Sequence, residues 1–163
     1  MASLLAWIEQ SALGHAVRDA GPWAYPLVNL AHILGIATLF GAVLSMDLSL
    51  LGVGRRSPAA LSAIVAAATP LARAGFLVAL VSGAGLLSAN GSEYIANPFL
   101  LVKFPAIALG LLNAVLINRS AAWQALLAGT MTTTDRRRLA VGAGISLLCW
   151  TTAVSAGRMI GYW

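Results

Sequence analysis

Between Asp19 and Asp47 no residue carries a formal charge. A helix needs about 20 mostly apolar residues to cross a bilayer, so this stretch alone is long enough to span one, and few folds can accommodate it otherwise. It is followed by three more such runs. The expected spans cover 24–52, 60–89, 97–118 and 136–160. The second is interrupted by Pro70 and carries Arg73, which places its lipid-deep part at 71–88. The third opens with NPFLLVKFPAIALG, and the fourth follows TTTD, where Thr134 or Asp135 can cap the first turn. Residues 120–134 are uncharged but short and rich in Thr and Gly, which predicts a loop with at most one interfacial turn. Composition agrees: 60% of the 163 residues are hydrophobic and 9% charged, against about 45–50% and about 25% in soluble domains. So few charges cannot coat a water-soluble surface, so lipid must cover much of the chain. The reading is an all-α integral membrane protein, a four-transmembrane-helix bundle forming one domain over 1–163.

Charge placement sets orientation. The formal net charge is +5, but the basic residues sit in short clusters between apolar runs and not in an aromatic-laced patch, so nucleic acid is not an expected partner. Arg55 and Arg56 lie between the first two spans, and Arg119, Arg136, Arg137 and Arg138 between the last two. The remaining loop, ANGSEYIANP, has only Glu93. The positive-inside rule puts both basic loops in the cytoplasm and both termini on the opposite side. Residues 3–19 place Leu4, Leu5, Ile8, Ala12 and Val17 near one stripe, which predicts an amphipathic N-terminal helix. It either lies on the outer membrane surface or caps the bundle mouth. The N-terminus lacks the basic start of a signal peptide and is expected to stay attached. Cys149 has no partner for an intrachain disulfide and reads as a small buried hydrophobe. Gly75, Ala79 and Gly83, with Gly142, Gly144, Ser155 and Gly157, read as small residues that let helices approach closely.

Ionisable residues inside a span cost about 2.5–3.5 kcal/mol each on insertion scales and usually face the interior. His32 lies about 9 Å below Pro26 at roughly 1.5 Å per residue. Lys103 reaches a similar level and Arg158 lies just below the same surface, so the three can share an outer layer, with Asn29, Ser82, Trp150 and Ser155 at its margin. Two cations beside an imidazole suit a ligand with an anionic end and an apolar body. Haem b fits, with His32 as the metal's axial ligand and Lys103 and Arg158 pairing the propionates. A quinone or an anionic lipid also fits. The alternative is structural: the cations snorkel to the headgroups and His32 bonds a backbone carbonyl. A second haem ligand would have to come from His15 or Met159, because Met46 is about 21 Å further down the first span. The sulfur residues Met46, Met131, Cys149 and Met159 form no short copper motif. Deeper in, Asp47 and Arg73 lie at matching depth and read as a buried ion pair clasping two helices, or as part of a proton or ion pathway. Asn113 is expected to bond a neighbouring helix. No Ser–His–Asp set, phosphate loop or acid pair supports hydrolytic or phosphoryl chemistry.

The segments AHILGIATLFGAVLSMDLSLLG, TPLARAGFLVAL, NPFLLVKFPAIALGLLNA and SAGRMIGYW resemble an uncharacterised family of small bacterial inner-membrane proteins. That family is distantly similar to the CopD copper-resistance membrane domain and to four-helix b-type cytochromes. The resemblance rests on His32, Gly35, Asp47, Arg73, Gly75, Phe76, Asn97, Pro98, Lys103, Asn113 and Arg158, and covers nearly the whole length. Relatives carry a histidine where this chain has Asn118, so any site built on that histidine is missing here. The resemblance implies a bacterial inner membrane, which makes the side on which the basic loops place the termini the periplasm, and an electron-transfer or metal-handling context with no established activity. The leading expectation is therefore an electron-transfer protein holding haem b or quinone near the periplasmic surface. The alternatives are a non-catalytic accessory or anchor subunit, working with other membrane subunits or as a homo-oligomer, and a copper-handling domain.

Overall fold

Each of the four apolar runs forms one continuous helix. The computed structural model of the protein describes residues 21–54, 56–89 and 97–162. Helix α1 spans Ala24–Leu50 and α2 spans Pro58–Ala89. They are joined through Gly52 and Gly54, both at positive φ (+95° and +81°), a region that glycine enters without steric penalty. Helix α3 spans Pro98–Asn118, α4 Ala121–Ala128 and α5 Thr133–Met159, and a 3₁₀ turn at Ile160–Tyr162 closes the described chain. The four long helices are long and apolar enough to cross a membrane. Large apolar side chains such as Leu77, Val81, Leu109 and Leu148 point outward and are 57–70% exposed, as a lipid-facing surface requires. The protein is a multi-pass membrane helix bundle. The expected amphipathic helix over 3–19, with His15, lies outside the described residues.

Local chemistry explains the boundaries. Pro98 occupies the first turn of α3, where its missing N–H costs nothing, and the Asn97 side chain caps that turn by accepting from Phe99 N–H at 3.0 Å. Helix α5 starts earlier than expected. Its cap is Thr132, whose hydroxyl accepts from Asp135 N–H while the Asp135 carboxylate accepts from Thr132 N–H, a reciprocal capping box. Asp135 is thus the partner of the cap and not the cap itself. The expected loop after α3 instead contains the two-turn α4. Ser120 caps it by accepting from Trp123 N–H at 3.2 Å, and Gly129, at φ +72°, ends it. The proline in α2 does not break the helix. Pro70 sits on the exposed side, and as a proline it brings no N–H to the helix ladder. Beside it, the Thr69 hydroxyl donates to Val65 O at 2.7 Å.

Two helix pairs make the bundle. Helix α1 packs along α2, α3 packs along α5, and α1 joins the pairs by lying against α5. The α1–α2 contact is backbone against backbone. A methyl group at Gly35 would lie 2.7 Å from Ala79 N, and one at Gly75 would lie 2.5 Å from Leu39 N and 2.8 Å from Gly35 O. With no hydrophobic drive between helices in lipid, such close dispersion contact is what holds them. At mid-depth Leu39, Val43 and Trp150 form a core cluster with Phe76 and Leu111. Phe76 and Trp150 meet edge to face, centroids 6.4 Å apart, and Gly110 leaves room for the indole. At the end bearing the α1–α2 turn, Leu61 and Val65 pack with Trp123, Leu126 and Leu139, so α4 plugs the bundle there.

Candidate functional site

His32 is half-buried on α1, facing α2. Its Nδ1 lies 2.9 Å from the Ala79 carbonyl oxygen and 3.1 Å from Ser82 Oγ. A carbonyl can only accept, so Nδ1 carries the proton and donates. The Ser82 hydroxyl already donates to Val78 O within its own helix, which leaves its oxygen free to share the Nδ1 proton. In the neutral ring this assigns the lone pair to Nε2, which makes no hydrogen bond to a described residue. Gly83 forms the wall behind the ring, and a methyl group there would come within 2.8 Å of Cε1. The imidazole is therefore held in one tautomer and one orientation, as a carbonyl-bonded ligating histidine is.

Lys103, on α3, belongs to the same level. Its ammonium acts electrostatically on the His32 ring, and its stem runs beside Gly157 of α5, where Cε and Nζ would sit 3.5 Å from a methyl group. Arg158 does not join them. One residue on from Gly157, it is rotated by roughly 100° around the helix and is exposed. There its guanidinium donates to the Tyr162 hydroxyl and lies 4.7 Å over the Tyr162 ring. The expected trio is thus a duo. Of the expected margin, only Ser82 takes part. Asn29 and Ser155 are exposed, and Trp150 belongs to the core below. Met159 is 43% exposed, and His15 lies outside the described residues.

The expected Asp47–Arg73 clasp is not formed. The α2 face toward α1 runs through Leu61, Val65, Ala68, Ala72, Gly75 and Ala79. Arg73 follows Ala72 and so turns outward, where it is exposed. Asp47 is 5% exposed. Ser146 of α5 reaches its carboxyl group, while Oδ2 is buried without a hydrogen-bond partner. Ser146 escaped the sequence reading because a single serine within an apolar run carries no signal of its own. Asn113 behaves as expected, donating from Nδ2 to Gly142 O on α5 at 3.0 Å. Among the small residues of α5, Gly142 packs on the Ile117 side chain, whereas Gly144 faces open space. Cys149 is buried and free. Among the described residues no three His, Cys, Asp or Glu side chains converge as a metal-binding group.

One family model, described as a family of unknown function (DUF6644), matches residues 4–163. The chain belongs to that family. No curated protein and no solved structure matches it. Members of DUF6644 therefore bring no assigned activity to this chain, and the site has to be read from its own atoms.

Proposed function

We propose that this DUF6644 protein is a small electron-transfer protein of the bacterial inner membrane, with both termini periplasmic, that holds haem b or a quinone at His32 and Lys103 in the outer half of the bundle. One observation carries this reading: Nδ1 is committed to the Ala79 carbonyl, which leaves Nε2 for a ligand, on a ring that feels the Lys103 charge. For haem the residues supply one axial nitrogen and one ammonium for a propionate, and a second axial ligand would have to come from the segment containing His15. For a quinone they would supply a donor at Lys103 Nζ for a carbonyl of the oxidised form and an acceptor at Nε2 for a hydroxyl of the reduced quinol. Either group would bring the electron-carrying chemistry; the chain orients it and shields it from water. Copper is the weaker reading, since a single imidazole is a poor copper site.

A second reading is favoured by the same bond. Nδ1 to Ala79 O joins α1 to α2, so His32 could serve only as a helix lock in an accessory or anchor subunit, with further membrane subunits or a second copy as partner. One variant separates the readings: Asn places an amide N–H near Nδ1 and keeps the lock but removes Nε2. Detergent-purified protein is expected to carry a Soret band or extractable quinone. His32→Asn should lose it while staying folded by circular dichroism, with a midpoint lowered by the loss of the bound group. Wild-type protein lacking both haem and quinone, with His32→Asn as stable as wild type, would leave the accessory reading.

A further inference from the structure

The strongest unassigned feature lies at the opposite end of the bundle from His32. Five of the eight described basic residues, Arg56, Arg119 and Arg136 to Arg138, fall at the end that holds the α1–α2 turn, against one described surface acid, Asp135. The described residues of this rim thus carry a formal net charge of +4. Between the end of α1 and the start of α5 a cavity of about 460 Å³ opens, lined by Arg56, Arg136 and Arg137 above an apolar floor of Leu50, Leu51 and Ala140. Arg136 is positioned there by donating from Nη2 to the Arg56 carbonyl at 3.2 Å. That uses one of its five N–H donors. No described acid answers the three guanidinium groups. Asp47 is buried inside the bundle, and the Asp135 carboxylate accepts from Thr132 N–H and Oγ1, with Arg138 as its electrostatic neighbour.

We propose that this cavity is a binding site for an anionic phospholipid of the adjacent leaflet, held by its phosphate between Arg56, Arg136 and Arg137 with its glycerol end over the apolar floor. Three considerations favour that occupant. Guanidinium groups match phosphate oxygens with paired donors. The cavity lies where two spans end, which is the depth of the headgroups. The surplus of positive charge selects against zwitterionic lipids, whose ammonium groups it repels. The site is independent of the His32 reading.

The test uses the full chain in nanodiscs of zwitterionic phosphatidylcholine doped with phosphatidylglycerol, with retained lipid counted by native mass spectrometry. Wild type is expected to retain phosphatidylglycerol over phosphatidylcholine. The Arg136→Gln/Arg137→Gln pair should hold it roughly 30-fold more weakly, the effect expected of two basic residues beside anionic lipid. Arg138→Gln, which removes a neighbouring charge outside the cavity, should retain it like wild type, and circular dichroism confirms that each variant is folded. Equal retention of the two lipids, or equal loss in Arg138→Gln and the pair, would overturn the site. Displacement of phosphatidylglycerol by millimolar inorganic phosphate would reassign the cavity to the free anion and overturn the lipid proposal.

Discussion

A carboxyl group buried without a cation is among the most costly arrangements a lipid-embedded helix can hold, because desolvation of a charge far exceeds that of an amide of the same shape. Asp47 is in that position, with Oδ2 unpartnered and Arg73 turned to the outside. The Asp47→Asn variant keeps the shape and a partner for Ser146 but removes the charge. Its stability is expected to rise by about 1–3 kcal/mol, the scale of an unsatisfied buried polar group, read as a higher thermal midpoint in detergent at neutral pH. A midpoint that falls instead would show that the carboxyl group has a stabilising partner. The pairing of Asp47 with Arg73 looked natural from sequence because depth is easily counted along a helix. Phase is not. Whether Arg73 faces in or out depends on which neighbours define the contact face, and the small residues Ala72, Gly75 and Ala79 settle that only once α1 is in place.

At the scale of elements, the α1–α2 seam is the firmest contact, and it rests on absent side chains. Gly75→Ala would push a methyl group against the Leu39 and Gly35 backbones, which cannot rotate away as a side chain would. Overpacking of this kind costs about 1–3 kcal/mol and sometimes more. Gly144→Ala faces open space and should be neutral or stabilising by up to about 1 kcal/mol through helix propensity. Thermal unfolding of both variants checks the contrast, and similar midpoints would mean that the seam tolerates separation. The helices themselves are legible in the chain because apolar run length is a strong signal. Helix α4 is less so, since a short helix relies on its caps. Ser120 and Gly129 were both available as signals, but the surrounding Thr and Gly residues resemble a loop.

For the whole molecule, the charge distribution is the most readable property, and the proposed orientation follows from it. With five described arginines clustered at one end, the proposed topology puts that rim in the cytoplasm and the Ile160–Tyr162 end outside. A C-terminal alkaline phosphatase fusion is therefore expected to be active in intact cells, and a C-terminal green fluorescent protein fusion dark. The reverse pattern would invert the molecule and move the His32 site to the cytoplasmic half. The division into two helix pairs could not be read from the chain, because every span is apolar on most sides and offers several partners. That division also bears on how the protein could respond to a ligand. Glycine-tight contact makes α1 and α2 a single rigid plank, so the easiest displacement is a sliding or opening of the α3–α5 half against it. His32 stands on one side of that joint and Lys103 on the other. A ligand held by both residues would therefore tie the two halves of the bundle together.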